Sequence, residues 1–179
     1  MKKRSGFTLI ELMITLAVMT IVLTMGVPSF LQMMRNNHTV TQANQLVTSL
    51  NLARSEAVKR GMRVTVMKTG AEWENGWRIF SDLDGDSVLD DDGDAVLCEL
   101  GEDCVLRIYP ALSDNYTLRT GGNFTNWVAY LPTGQSKGDP FSNDTFRLCA
   151  DDQDTAKGRS IAISLLGRIT MNAGTTVCP

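Results

Sequence analysis

Histidine is nearly missing from this chain: His38 is the single example among 179 residues, and there are only four cysteines. One histidine and no Cys-x-x-Cys spacing exclude the usual zinc constellations. A cysteine nucleophile is excluded too, because no base accompanies it in the second half of the chain. Fifteen glycines and five prolines are too few for a collagen-like or low-complexity chain. A basic excess is also lacking, with 17 Lys+Arg against 20 Asp+Glu and a net charge of -3, which excludes wrapping nucleic acid by bulk charge. No phosphate loop or nucleophile–base pair is visible, so the sequence does not read as an enzyme. Charge is scarcest in one place. From Phe7 through Met34, Glu11 is the only charged residue.

What stands around that gap is a membrane signal. Residues 1–6 (Met-Lys-Lys-Arg-Ser-Gly) carry three positive charges and no negative one. The apolar run that follows could reach about 42 Å as a helix, more than the ~30 Å hydrocarbon core. A basic head stays cytoplasmic under the positive-inside bias, which sends the rest across the membrane. A removable secretory signal would be shorter and end in a small-x-small site. Here Met25-Gly26-Val27-Pro28-Ser29-Phe30 runs on into an amphipathic pattern instead. Glu11 needs an explanation, since a carboxylate in an apolar segment calls for a partner. Thr8-x-x-Glu11 has capping-box spacing, which accounts for a Glu at a helix start. Cleavage between Gly6 and Phe7 would create an amine to pair with Glu11 of a neighbouring molecule.

Gly6-Phe7-Thr8-Leu9-Ile10-Glu11-Leu12 resembles the prepilin motif of type IV pilins and type II secretion pseudopilins. The resemblance implies cleavage after Gly6 by a prepilin peptidase, methylation of the Phe7 amine, and a role for Glu11 in registering subunits as they enter a filament. Pro28 sits where many pilins bend their long helix, and an interior Pro kinks a helix because it lacks an N–H and crowds the preceding turn.

Between Leu31 and Arg60 the apolar residues Ala43, Leu46, Val47, Leu50, Ala53 and Ala57 recur at helical spacing. Lys59 and Arg60 before Gly61 make a helix end. One kinked helix over 7–60 is therefore expected, its second half covering a globular domain. After Gly61 the period changes to two. Strands are expected at 63–68, 77–81, 105–109, 116–119, 127–131, 145–149, 160–165 and 168–171, separated by turn residues. Short strands without further helix argue an antiparallel β-domain.

Three stretches narrow the resemblance to the GspH/FimT group of minor pilins and pseudopilins. They are Leu52–Gly61 at the helix end, Asn75-Gly76-Trp77-Arg78-Ile79-Phe80 before an Asp-rich turn, and Leu131-Pro132-Thr133-Gly134 with Gly167-Arg168 before a last Cys. The implied fold is α+β and type IV pilin-like, a long kinked helix on an antiparallel sheet. It divides into a leader (1–6), an apolar helix (7–34), an amphipathic half (35–61) and a β-domain (62–179).

Four cysteines in an exported domain read as two disulfides. Of the three pairings, Cys98–Cys104 around an acidic loop with Cys149–Cys178 between terminal strands is favoured. His38 reads as a solvated or packing residue. Asp82, Asp84, Asp86 and Asp90 alternate in an Asp-rich segment, and such spacing could aim carboxylates at a calcium ion. Against that, Ser87 stands where an EF-hand loop has Gly, and no Glu occupies the twelfth position. A solvated Asp/Gly hairpin is the weightier reading. Arg147, Lys157, Arg159 and Arg168 could contact DNA phosphates. The Gly-Arg-x-Arg motif associated with DNA-binding members is incomplete, however, at Gly167-Arg168-Ile169-Thr170. Removing the leader's three basic residues from 17 leaves 14 against 20 acidic ones, a charge of -6, so DNA is a minor alternative.

The function expected is that of a FimU- or FimT-like minor pilin without catalysis or a required cofactor. It would be a single-pass inner-membrane protein with a periplasmic β-domain, later part of a pilus or pseudopilus. Its partners would be the peptidase, other minor pilins and the major pilin, in a complex that initiates and tips the filament. A competence pilin and the H pseudopilin are the alternatives.

Overall fold

The computed structural model describes residues 6–90, 98, 101–113, 115–150, 153–175 and 177–178. Leader residues 1–5 and the acidic positions 91–94 lie outside the described residues. Helix α1 runs over Leu9–Arg60, continuing through Pro28. The chain divides into two compact units, Met1–His38 and Thr39–Pro179.

The first unit is the apolar half of α1. Its long hydrophobic side chains, from Phe7 to Met34, are exposed. Its length and apolarity are sufficient to cross a membrane.

The second unit combines the rest of α1 with two antiparallel sheets. Strands β1 (Arg63–Lys68), β2 (Trp77–Asp82), β3 (Cys104–Tyr109), β5 (Trp127–Tyr130) and β6 (Ser136–Lys137) form a five-stranded sheet in the order β3-β2-β1-β5-β6. Strands β4 (Thr117–Arg119), β7 (Asp144–Cys149), β8 (Arg159–Ile163) and β9 (Ile169–Ala173) form the other, in the order β4-β7-β8-β9. The expected strands are all present. Two elements lack a period-two signal because they are too short to have one: β6, of two residues, and a 3-10 turn, η1, at Trp73–Asn75.

On α1 the buried residues are Thr39, Ala43, Leu46, Ser49, Leu50, Ala53 and Ala57. They form one core with Val64, Val66, Trp77, Ile79, Val128 and Tyr130 of the larger sheet and Leu118, Phe146, Leu148, Ile161 and Ile163 of the smaller. Alanines on the stripe let the helix backbone approach closely. Ser49 is tolerated inside because its hydroxyl accepts the Trp77 indole N–H at 2.9 Å. Trp73 is satisfied similarly, its Nε1 donating to the Phe124 carbonyl at 2.8 Å.

Two disulfides are present, Cys98–Cys104 and Cys149–Cys178. The second anchors the chain end to β7, across β8 from β9.

Candidate functional site

The N-terminal motif forms a reciprocal cap. Thr8 donates through its backbone N–H and its hydroxyl to Glu11 Oε2, each at 2.8 Å, while the Glu11 N–H reaches Thr8 Oγ1 at 3.3 Å. Within one chain Glu11 therefore satisfies orphan donors at the helix start. Gly6 and Phe7 precede the helix and are exposed.

At the other end of α1 the separate motifs meet. Arg54 Nε donates to the Gly134 carbonyl at 3.0 Å, and its Nη2 to the Leu166 carbonyl at 3.1 Å. Gly134 lies between β5 and β6 of the larger sheet, and Leu166 between β8 and β9 of the smaller. One guanidinium fork thus ties the helix end to both sheets. Gly167 makes this geometry accessible. Its φ is +72°, and a Cβ there would lie 2.0 Å from the Gly134 carbonyl oxygen. Gly76 plays a similar part at the start of β2, where a Cβ would come within 2.6 Å of the Tyr109 carbonyl oxygen. The helix end, the Pro-Thr-Gly turn and the Gly-Arg turn are therefore parts of one knot.

A second clamp joins the sheets elsewhere. Glu74 of η1 pairs with Arg119 of β4 and accepts the Leu118 N–H at 3.3 Å. Burial pushes the Glu74 carboxyl upward, but the hydrogen bonds from Arg119 and Leu118 outweigh it and hold the group below the usual carboxylate range. A carboxyl lowered on folding stabilises the fold above its unfolded pKa, and that stabilisation is lost as pH falls through the folded value. Glu74→Gln should cost about 1–3 kcal/mol at neutral pH. It should also flatten the acid-side fall of the thermal midpoint, and parallel midpoints at neutral and acidic pH would refute this if the two curves kept the same slope.

The acidic segment is organised from inside. Asp82 is buried, and it accepts from the Gly85 N–H at 2.7 Å, the Ser87 N–H at 3.1 Å and the Thr65 hydroxyl at 2.8 Å. Arg63 Nε lies 3.2 Å from Asp82 Oδ2, and the same guanidinium donates to the Gly85 carbonyl and the Ser87 hydroxyl. Burial pulls Arg63 below its ordinary pKa, while Asp82, Asp86 and Asp84 draw it back up. Asp103 closes the far side, accepting from Leu83 N–H at 2.8 Å and Asp90 N–H at 3.1 Å. Its carboxyl is raised, first by burial and then by the charges of Asp82 and Asp90, against those two hydrogen bonds.

Carboxylate oxygens of Asp82, Asp84 and Asp86 come within 4.8 Å of one another, and Asp90 is outside that group. The donor set fits calcium poorly, because both Asp82 oxygens are engaged by protein donors and the Arg63 guanidinium lies against Asp82 Oδ2.

Arg168 stands apart from the other three basic residues, since Arg147 pairs beside Ser160, next to Arg159, and Lys157 is two residues before it. Arg168 is exposed in the β8–β9 turn, while Arg159 opens β8, roughly 17 Å away at the strand rise. Arg159 donates to the carbonyls of Lys157 and Gly158, Lys157 pairs with Asp154 at 2.9 Å, and Arg147 reaches the Thr120 carbonyl at 3.4 Å. Arg54, Arg63, Glu74 and Asp144 were not singled out by sequence reasoning, since each acts on residues far away in the chain. Asp144 accepts the N–H groups of Gly121, Asn123 and Phe124 at 2.8, 2.8 and 3.0 Å.

Comparison with known proteins bears on both ends of the chain. The family model described as type II transport protein GspH matches residues 42–167, and the prokaryotic N-terminal methylation motif matches residues 1–27. No curated protein sequence matches significantly. Among solved structures, the type IV minor pilin FimU of Pseudomonas aeruginosa is similar, with a TM-score of 0.62 and 21% identity over 81% of this chain and 98% of that one. The minor pseudopilin EpsH of the Vibrio cholerae type 2 secretion system has a TM-score of 0.52 and 12% identity over 76% and 97%. These identities speak to the fold.

Proposed function

The chain belongs to the GspH family of type II transport proteins, and from that membership we propose that it is a FimU- or FimT-like minor pilin that helps initiate and tip a type IV pilus. The observation that carries this reading is the pairing of the family's globular domain with an N-terminal methylation motif on one chain. The apolar helix holds the precursor in the inner membrane, with its basic head in the cytoplasm and the β-domain outside. A prepilin peptidase cleaves after Gly6, and the Phe7 amine is methylated. Glu11, whose carboxylate now caps its own helix, then pairs with the new amine of a neighbouring subunit as helices leave the lipid for a filament core. An unpaired carboxylate in an apolar core is costly, so this pairing sets register. Its partners are other minor pilins and the major pilin.

Mass spectrometry of the mature chain tests the proposal. The expected N-terminus is a methylated Phe7, with residues 1–6 gone. Gly6→Leu should leave the precursor intact, and Glu11→Ala should be processed yet be depleted from filaments. An intact N-terminus in the wild type would end every pilin reading.

A second reading, the H pseudopilin of type II secretion, is favoured by the description of the matched family itself. The two separate by whether deleting the gene abolishes pili or secretion.

A further inference from the structure

Sheet edges expose unpaired N–H and C=O groups, and proteins guard them with short strands, charges, prolines or bulges. Among the described residues the two sheets have four edges, and three of them carry such guards. β6 is two residues long and ends in the exposed Lys137. β4 is three residues long, with Arg119 held by Glu74. β3 carries the exposed Arg107 and a register irregularity in its pairing at Ile79/Phe80. β9 has none of these. It is Ile-Thr-Met-Asn-Ala, five residues without charge or proline, and its register with β8 is unbroken.

The direction of its free groups follows from one bond. Ser164 N–H donates to the Arg168 carbonyl at 3.0 Å, so that pair is hydrogen-bonded. Alternation makes Ala162–Thr170 and Ser160–Asn172 the next bonded pairs. The N–H and C=O groups of Ile169, Met171 and Ala173 therefore point away from β8. Gly174 adds one more bonded pair to the ladder, its N–H donating to the Gly158 carbonyl, and the chain then turns off this edge, with the Thr175 N–H bonded to the Thr155 carbonyl and Cys178 tied to Cys149 on β7. Among the described residues nothing pairs with the outer side of β9.

The core layer also stops short there. Met171 lies opposite Ile161 and so shares its face, yet it is 37% exposed where Ile161 is buried. One further strand carrying an apolar residue beside Met171 would complete both the ladder and the core. Arg168, exposed at the start of β9, adds a preference for a carboxylate at that end of the incoming segment.

We propose that β9 is an assembly edge, which accepts an extended segment with an apolar residue beside Met171 and a carboxylate near Arg168, contributed by a different subunit of the same filament. This rests on the filament reading above. Backbone hydrogen bonds would supply affinity, and the Met171 and Arg168 positions would supply choice of partner.

The test uses the full chain in cells that assemble the filament. A photo-crosslinking amino acid, benzoylphenylalanine, replaces Asn172 on β9 or, as a guarded-edge control, Lys137 on β6. The expected result is an adduct at 172, but not at 137, with a second protein carrying an N-terminal methylation motif. Met171→Lys puts on β9 a charge of the kind that the other edges carry. It should lower that adduct about tenfold, as the loss of ~1.4 kcal/mol would, with the thermal midpoint little changed. Met171→Leu should keep the adduct.

An adduct only with a second copy of this chain would overturn the proposal, as would equal labelling at 137 and 172. Processed chain present in filaments without any adduct at 172 would overturn the edge and leave the filament role standing. Chain absent from filaments would sink both. The cross-linking comparison does not depend on the lysine variant folding.

Discussion

Asp82→Ala should lower the stability of the β-domain by about 3–5 kcal/mol, the usual cost of stranding one member of a buried ion pair. For a domain of this size that is a fall in thermal midpoint of roughly 10 °C or more. The reason lies in what Asp82 holds: Arg63, Thr65 and the backbone N–H groups of Gly85 and Ser87 all converge on it. Arg63→Met should cost less. It leaves Asp82 buried but still satisfied by three neutral donors, whereas Asp82→Ala leaves a buried guanidinium with neutral acceptors only. Thermal unfolding of the detergent-solubilised chain measures both. The same experiment distinguishes an internal arginine from a metal ion. A bound ion raises the midpoint by mass action, so saturating calcium should leave the wild-type midpoint unchanged, and a calcium-dependent rise would contradict the assignment.

Gly167→Ala is expected to be nearly as damaging, at about 3 kcal/mol or more. The left-handed backbone costs an L-residue about 1–2 kcal/mol. The added methyl must also displace the Gly134 carbonyl that Arg54 holds, and hydrogen bonds to charged groups contribute about 1.5–3 kcal/mol each. Arg54→Ala removes that bond, and the one to the Leu166 carbonyl, from the other side. The double variant should therefore be less destabilised than the two single costs added together, because both act on one knot. Strict additivity, read from denaturant unfolding, would mean the glycine and the arginine serve separate purposes.

The prepilin motif, the long helix and the strand positions were legible because each is local, whereas the order of strands in the two sheets was not. A Gly-Phe junction, a Glu five positions into the processed chain and an apolar run are contiguous. The Ala43-to-Ala57 stripe follows the helix period, and the strands follow the period of two. Ser49 was invisible on that stripe, because its burial depends on the Trp77 indole 28 residues away. The Asp-rich turn was legible as a turn. Its internal cation was not, since Arg63 stands nineteen positions before Asp82 and meets it only because β1 and β2 pair Arg63 with Asp82.

Unaided, then, the sequence determined what kind of molecule this is: an α+β subunit with an N-terminal methylation motif on an apolar helix, assigned to the GspH/FimT group by motifs that read contiguously. Tertiary structure decided what the weaker motifs are for. Arg54, Gly134 and Gly167 became one knot, Asp82 became the buried partner of Arg63, and Arg168 was set apart from Arg147, Lys157 and Arg159. It also left β9 as the one unguarded edge. The physical reason is the same in each case. Periodicity and local motifs are properties of neighbours along the chain, whereas salt-bridge closure, close backbone approach and edge exposure depend on which strands end up side by side.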